Sequence, residues 1–350
     1  MTTLRDLDPT ILLRTCELFF QRKLTTQAIC DDVSPDLRRL HPGFEMSREK
    51  VYELIREARR RDLFQIVPPL EVGLRRLLES LYGEGFHVAH ITELDHLAVS
   101  AAGVVADLIG RLHRDGRDEV HVGLCAGQTS RLVARYLAVR LRATERLPKL
   151  VFHALTSGFH VTEPHTAPVS FFGFFEAVPT ETSYVGLFAP AFASTREWPQ
   201  MRDRVGVKES FERAVAIDIV LTSLGSPSHG HGDFYDFMRM GSRKGLDALR
   251  RGGWIGDVQY RPYSASGPIQ IDAQVRAVTL FELQDLVALA ARPDKHVVLV
   301  AGPCSVCGKS RADAVRPLLL EPSLKLWKTI VTDVGTAREL LTAPPRSAAG

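Results

Sequence analysis

The sequence has few of the features that mark membrane, secreted and disordered proteins. Its longest apolar stretch, residues 97–109, is interrupted by Ser100 and Asp107. It is shorter than the roughly 20 apolar residues that a membrane-spanning helix needs. The start of the chain has no basic segment followed by an apolar core, so we expect no signal peptide. These absences predict a protein that is neither membrane-spanning nor exported, and we expect it in the cytoplasm.

Cysteine is also scarce, with five residues in 350. That is too few for a disulfide scaffold, and an odd count without a signal peptide indicates reduced thiols. Cys304 and Cys307 form a single CxxC motif, whereas a structural zinc site normally needs four ligands. We therefore expect neither a metal nor another cofactor. A redox-responsive or metal-responsive role for these two cysteines stays open as an alternative.

The composition that remains is that of a globular protein, 45% hydrophobic and 24% charged. A length of 350 residues suggests two domains at about 150 residues each. The pair Pro68-Pro69 is the best candidate boundary. We predict a first domain over residues 1–69, a linker or dimerisation helix over 70–84, a larger second domain over 85–342 and a disordered tail over 343–350.

The sequence of the first domain predicts three helices and a strand. Apolar spacing predicts a helix over 9–23 and a second helix from Thr25 or Thr26 that ends at Ser34-Pro35. After a loop over 36–45, Ser47 is a good N-cap for a third helix that continues to Arg61. A short strand over 63–67 would complete a winged helix-turn-helix, whose third helix enters the major groove of DNA.

The third helix carries a local excess of positive charge. Its stretch from Ser47 to Arg61 holds six basic residues against three acidic ones, although the whole chain has a formal charge of only +3. The basic and aromatic side chains that flank its apolar stripe suit phosphates and guanine edges; they are Arg48, Lys50, Tyr52, Arg56 and Arg59. A solvated charged helix remains the alternative interpretation.

After the double proline, leucines repeat at spacings of four, three and four residues, namely Leu70, Leu74, Leu77 and Leu81. This short seam suits pairing with a partner helix, or packing on its own domain.

From about residue 85, predicted strands alternate with predicted helices. Such alternation indicates an α/β domain with a mostly parallel sheet, whose ligands lie beyond the carboxyl ends of the strands.

The most informative motif of this domain is residues 120–130, a strand, a glycine-containing loop and the start of a helix. Small residues such as Gly127 let the backbone approach an anion, and the hydroxyl groups of Thr129 and Ser130 can donate to it. The motif therefore predicts a phosphate or sugar-phosphate cradle, with a plain strand–helix turn as the alternative. Asp257, in a later glycine-containing segment, could accept hydrogen bonds from sugar hydroxyls or cap a turn.

Taken together, these segments resemble the SorC family of bacterial transcriptional regulators, which are grouped with DeoR-type sugar-responsive repressors. The resemblance covers nearly the whole chain and follows from the order of several phrases. They include residues 24–27 and 46–51 in the helix-turn-helix, and 122–129, 187–194, 218–225, 253–257 and 330–341 in the second domain.

The resemblance implies an effector domain similar to the sugar-phosphate isomerase and glucosamine-phosphate deaminase fold, which binds a phosphorylated sugar without turning it over. The residues that it implies for the effector are Gly127, Gln128, Thr129, Ser130, Gly225, Asp257, Arg261, Arg311 and its neighbour Lys309. The residues that we expect to contact DNA are Thr26, Gln27, Ser47, Arg48, Lys50, Tyr52, Arg56 and Arg59.

The sequence departs from the family in three places. Cys125-Ala126 stands where the family usually has Trp-Gly, residues 35–45 lengthen the turn before the third helix, and residues 303–308 expand a late loop. The aromatic segment 170–175 is also less typical, and the sequence suggests no function for it.

We expect a DNA-binding regulator that is not an enzyme, with operator DNA and a phosphorylated sugar as its ligands. Since one helix-turn-helix contacts one half-site, we also expect a homodimer or homotetramer. An isomerase or deaminase on the same fold is the competing class. It would need a paired general acid and base, and no pair is evident from spacing.

Overall fold

A computed structural model describes residues 3–158, 164–194, 196–230, 232–270 and 275–342. The chain divides into two compact units, Met1–Ile66 and Val67–Gly350. The predicted disordered tail over 343–350 lies outside the described residues. The division falls beside Pro68-Pro69, and the predicted linker over 70–84 belongs to the second unit.

The first unit is built from three helices, α1 (Pro9–Cys16), α2 (Thr26–Leu40) and α3 (Arg48–Arg60). A π-helical turn, Glu17–Gln21, extends α1. Each helix begins at a side chain that accepts a backbone N–H, and Ser47 Oγ does so for Lys50 at 3.3 Å. The apolar stripes meet in one core, whose fully buried members include Leu12, Ile29, Val33, Leu37, Val51 and Leu54.

The predicted end of the second helix at Ser34-Pro35 is wrong. Helix α2 continues through Pro35 to Leu40, although proline has no N–H to donate to the carbonyl of residue 31. Leu37 is fully buried on the same stripe as Val33, and burial of that side chain favours one more turn of helix. The loop before α3 is therefore confined to residues 41–47.

The predicted strand over 63–67 is also wrong, and with it the wing that it would form. These residues have no strand structure. A strand needs a neighbouring strand to satisfy its backbone groups, and here Leu63 and Phe64 instead pack against the helical core. The described part of the first unit is thus a helix-turn-helix without a strand.

The second unit contains a large, mostly parallel sheet. Its strands and those of a small separate sheet are β1 (Phe86–Ala89), β2 (Glu119–Leu124), β3 (Lys149–Ala154), β4 (Thr182–Val185), β5 (Phe192–Ser194), β6 (Ile219–Gly225), β7 (Gly256–Val258), β8 (Arg261–Ser264), β9 (Gly267–Pro268), β10 (Val275–Ala277), β11 (His296–Ala301) and β12 (Thr329–Asp333). The parallel strands lie in the order β1-β12-β11-β6-β2-β3-β4. This confirms the predicted α/β class and parallel sheet.

Helices cover both faces of this sheet. They are α4 (Val72–Tyr82), α5 (Leu94–Arg114), α6 (Gln128–Arg142), α7 (Trp198–Arg202), α8 (Val207–Arg213), α9 (Asp233–Gly241), α10 (Arg243–Arg251), α11 (Leu283–Ala291), α12 (Ala312–Leu320) and α13 (Val334–Leu341). Alternate residues of a strand join different apolar clusters: Val298 packs with α5 and α6, whereas Val297 and Leu299 pack with α11 to α13. Such alternation is expected for strands buried on both faces.

Antiparallel additions complete the unit. Strand β7 pairs with the end of β6, with Gly225 opposite Asp257, and β7, β8 and β9 form a short meander. Strands β5 and β10 form the separate two-stranded sheet. The meander was not predicted as strands, because its segments are only two to four residues long.

Part of the predicted leucine seam packs on its own unit, and the rest is exposed, as pairing with a partner helix would require. Leu78, which is not part of the seam, is the buried residue of α4, and Leu74 is partly buried against the core. Leu70, Leu77 and Leu81 are 52%, 53% and 62% exposed. The helix thus packs on its own unit through one face and leaves most of the seam uncovered among the described residues.

The aromatic segment has a structural explanation. It lies in a 3₁₀ helix, Pro168–Phe175, in which Phe171 and Phe175 are buried. The ring of Phe175 stacks on that of Phe152 in β3 with centroids 3.8 Å apart. The segment therefore covers the β3 side of the sheet.

None of the described helices is long and apolar enough to cross a membrane.

Candidate functional site

A cavity of about 650 Å³ lies in the second unit, beyond the carboxyl ends of β2, β3, β6 and β11. This is where the ligands of open parallel sheets bind. Six of the sequence-predicted effector residues line it: Gly127, Gln128, Thr129, Gly225, Asp257 and Arg311. The predicted cradle and the predicted sugar contacts thus share one cavity.

The loop after β2 forms one wall. Gly127 has a φ of +110°, which favours glycine, and as the N-cap of α6 it has no side chain that could accept from the first-turn N–H groups. The N–H groups of Ala126 and Gly127 already donate to Thr156 Oγ1 and to the carbonyl of Thr166, both at 3.0 Å. An anion here would therefore depend on the first-turn N–H groups and on Thr129, which lines the cavity.

Ser130 has a different role from the predicted one. It is 1% exposed, and its Oγ lies 3.0 Å from Cys125 Sγ. It is not among the lining residues of the cavity. Its side chain therefore stabilises the loop from within through its contact with Cys125.

Asp257 is a buried carboxyl group at the cavity wall. It is 6% exposed, and burial raises its pKa to about 7, with a further contribution from the nearby charge of Asp233. Arg311 acts in the opposite direction and favours the ionised form. The group is therefore poised between the protonated and ionised states near neutral pH.

Arg311 reaches the cavity from the loop before α12. Its Nη1 donates to the carbonyl oxygen of Leu224, at the end of β6, at 2.6 Å. This bond fixes the guanidinium beside the carboxyl end of the sheet. The neighbouring candidate, Lys309, is exposed and is not among the lining residues. Of these two neighbouring cations, the structure brings only Arg311 to the cavity.

Arg261 lies outside this cavity. Its Nη2 is 2.7 Å from Glu282 Oε1, and that carboxylate also pairs with Arg276. Burial lowers the pKa of Arg261 to about 10. The side chain lines a separate depression beside Glu282 and Gln270. The resemblance implied that Arg261 faces the ligand together with Asp257, but alternate residues of a hairpin point to opposite sides.

Sequence reasoning missed several lining residues. Asp233 begins α9, and Gln259 and Tyr260 form the turn between β7 and β8. Cys304 also lines the cavity from the expanded late loop, while Cys307 is exposed. The one available signal for Gln259 and Tyr260 was their position two and three residues after Asp257.

The candidate DNA-binding face belongs to the first unit, and nearly all of its predicted residues are solvent-accessible. Gln27, Ser47, Arg48, Tyr52, Arg56 and Arg59 are exposed, and Thr26 and Lys50 are half-buried. Arg48 Nε donates to Gln27 Oε1 at 2.8 Å, which links α3 to the start of α2. Lys50 Nζ donates to the carbonyl of Glu45 and lies 4.6 Å from the Phe44 ring centroid.

The basic end of α3 is partly structural. Arg60 and Arg61 both pair with Glu57, whose pKa their hydrogen bonds hold down at about 2. Arg61 also donates to the carbonyls of Leu4 and Leu7. These two arginines therefore stabilise the fold of the first unit. The cations nearer the start of α3 remain the better candidates for contact with DNA.

Among the described residues, no group of three or more histidine, cysteine or acidic side chains is arranged to hold a metal ion.

Comparisons with known proteins agree with this architecture. Residues 88–342 match the family model described as "Putative sugar-binding domain". No curated protein matches the chain. Among solved structures, the full-length sorbitol operon regulator SorC from Klebsiella pneumoniae is similar at a TM-score of 0.62 and 14% identity, covering 95% of this chain and 99% of that one.

Two further structures are similar over a smaller share of the chain. A DeoR family transcriptional regulator from Listeria monocytogenes is similar at a TM-score of 0.58 and 19% identity, over 77% of this chain and 99% of that one. A transcriptional regulator from Streptococcus pneumoniae TIGR4 reaches 0.57 at 15% identity, over 77% and 95%. At these identities the likeness shows a shared fold.

Proposed function

The chain belongs to the family whose model is described as a putative sugar-binding domain, and from that premise we propose that it is a DNA-binding transcriptional regulator of SorC type. In this proposal a phosphorylated sugar or related carbohydrate metabolite binds in the second unit and controls operator binding. The protein acts by binding its ligands and not by chemical conversion of them.

The observation that carries the proposal is the pairing of an anion-binding wall with sugar-binding groups in one cavity. The first turn of α6, Thr129 and the fixed guanidinium of Arg311 suit a phosphate. Asp257 suits hydroxyl groups, since it can donate when protonated and accept when ionised. A sugar phosphate has both kinds of group.

The first unit supplies the DNA-binding part of the proposal. Arg48, Lys50, Tyr52 and Arg56 lie on the accessible side of α3, while Val51 and Leu54 are fully buried on the other. Side chains of this kind at the start of a recognition helix contact phosphates and base edges. The bond between Gln27 and Arg48 would present both residues to the DNA together.

The regulator would work as a homodimer or homotetramer, since paired half-sites require two-fold symmetry. The exposed leucines of α4, Leu77 and Leu81, offer an apolar surface for that association. Their exposure supports an interface here because an uncovered apolar stripe favours pairing with a second helix.

One observation favours an enzyme as a second candidate. Asp257, with a pKa of about 7 and with Asp233 beside it, has the properties of a general acid–base group. Incubation of the purified protein with a panel of hexose phosphates and hexosamine phosphates, followed by NMR, decides this point. The regulator proposal expects no conversion, and turnover that disappears in Asp257→Asn would establish the enzyme.

The regulator proposal is tested in two steps. Selection from random double-stranded DNA should enrich a palindromic site that the protein binds in a salt-dependent manner. A thermal-shift screen should then find a phosphorylated sugar that raises the melting temperature of the protein and changes its affinity for the selected site. Failure to enrich any site, with folded full-length protein, would overturn the DNA-binding function.

A further inference from the structure

The turn between β7 and β8 holds two bulky residues in an unusual backbone conformation. Val258 pairs with Arg261 across the hairpin, so Gln259 and Tyr260 form a two-residue turn. Both have positive φ angles, +51° and +62°. Such turns strongly favour glycine, asparagine and aspartate at these positions. A glutamine and a tyrosine therefore hold the turn under strain, at a point where both line the cavity.

The side chain of Gln259 has a second unfavourable feature. The residue is only 4% exposed, and its Nε2 and Oε1 are both buried without a hydrogen-bonding partner among the described residues. Buried polar side chains in native proteins are nearly always hydrogen-bonded. A strained turn that buries an unpartnered amide against a ligand cavity is best explained by a ligand that completes its bonds.

The neighbouring groups indicate what kind of ligand group this would be. Asp257 precedes the turn on β7, and the hydroxyl of Tyr260 is 3.5 Å from Asp233 Oδ2. The aromatic cluster behind Tyr260 includes Phe234 and Trp254. Carboxyl groups, a phenol and apolar rings together suit the hydroxyl and C–H groups of a sugar better than they suit a phosphate.

We propose that the Gln259 amide is a specificity-determining contact of the effector, and that it recognises two neighbouring sugar hydroxyl groups. An amide offers one donor group and one acceptor, and a pair of hydroxyls can complement both. A phosphate monoester dianion offers only acceptors and would leave Oε1 unpartnered. The inference rests on the proposed function, and it assigns the sugar part of the ligand to the β7–β8 turn.

The first test needs no effector. Gln259→Met keeps the length of the side chain but removes its polar atoms, so it should raise the melting temperature of the ligand-free protein by about 2–4 °C. Gln284→Met is the matched control, since Gln284 is exposed on α11, and it should change the midpoint by less than about 1 °C. A lower midpoint for Gln259→Met would show that the amide is structural, and would overturn the proposal.

The second test uses inorganic phosphate, fructose 6-phosphate and glucitol 6-phosphate as probes. Inorganic phosphate should protect the wild type and Gln259→Met equally. A sugar phosphate that protects the wild type should bind Gln259→Met about tenfold more weakly or worse. Unchanged affinity for that sugar phosphate would overturn the role of Gln259.

The two tests separate this inference from the proposed function. If no phosphate compound protects the wild type but Gln259→Met still raises the ligand-free midpoint, the proposed sugar-phosphate function fails, and Gln259 is shown only to be a buried amide without a structural role. If phosphate compounds protect both proteins alike and Gln259→Met is destabilised, the proposed function stands and this inference fails.

Discussion

Asp257 occupies the space beside Gly225: a β-carbon at Gly225 would lie 2.5 Å from Asp257 Oδ2 and 2.9 Å from its Cγ. The two residues are register partners across β6 and β7. The absence of a side chain at Gly225 is thus what lets the carboxyl group stand at the cavity wall, where the sheet meets the hairpin.

Gly225→Ala should displace the Asp257 carboxyl group and weaken effector binding by about tenfold or more, because a contact of 2.5 Å forces the neighbouring group to move. Isothermal titration with the effector found by thermal shift measures this. Gly103→Ala is the matched control, since its β-carbon would be 3.6 Å or more from Arg140. Equal affinity for Gly225→Ala and wild type would mean that Asp257 does not contact the effector.

Because the pKa of Asp257 is raised, the stability of the folded protein should depend on pH. The folded protein holds this proton up to a pKa of about 7, against 3.8 for the unfolded chain. The group therefore favours the folded state at low pH, and that contribution is lost as pH rises from about 4 through 7. Asp257→Asn should remove this dependence and gain stability relative to wild type at pH 8, on the order of a few kcal/mol.

Urea unfolding of both proteins at intervals from pH 5 to pH 8 measures the difference. Asp247→Asn serves as control, since that carboxylate is half exposed beside Arg250. If the difference in the free energy of unfolding between wild type and Asp257→Asn is the same at every pH, the carboxyl group does not titrate in this range. A change in its protonation state then has no part in ligand binding.

The start of α3 should determine DNA affinity. Replacing Arg48 and Lys50 together by alanine should weaken operator binding and flatten its salt dependence by about one unit per lost phosphate contact. Fluorescence anisotropy at several salt concentrations measures both effects. Arg142→Ala, an exposed cation of the second unit, should change neither. An unchanged affinity in the double variant would move the DNA-reading surface to another element.

The exposed leucines of α4 should stabilise the oligomer. Replacing Leu77 and Leu81 by glutamine should raise the dissociation constant of the dimer, because it removes apolar surface that association would bury. Light scattering and sedimentation from nanomolar to micromolar concentration follow the change. Leu320→Gln, an equally exposed leucine on α12, is the control. A wild-type protein that is monomeric at micromolar concentration, with and without DNA, would exclude this association.

Much of the fold followed from local sequence signals. Ser47 predicted the start of α3, because a hydroxyl before a helical stripe satisfies a free N–H group. The strand before Gly127 and the helix after it were evident because the apolar residues change there from a continuous run to helical spacing. What failed depended on tertiary contacts: Leu37 prolongs α2 past a proline, and Phe64 joins a helical core without any partner strand.

The site was only partly predictable for a related reason. A motif shows which residues are near one another in sequence, but not the direction of each side chain. Ser130 turns towards Cys125, and Arg261 towards Glu282. Gln259 and Tyr260 carry no turn signal at all, since their conformation opposes the ordinary preference of their residue types.

In the proposed function, the wall around Thr129 holds the phosphate of an effector that controls DNA binding. Fluorescence anisotropy of labelled operator DNA tests this, as the effector is added to wild type, Thr129→Val and Thr129→Ser and the DNA is released or bound more tightly. Operator affinity without effector should be the same in all three, because Thr129 belongs to the second unit. Thr129→Val should need about ten- to a hundredfold more effector, and Thr129→Ser should respond nearly as wild type does. A Thr129→Val protein that responds at wild-type effector concentrations would show that Thr129 does not bind the phosphate, and the loop would be a plain turn between β2 and α6.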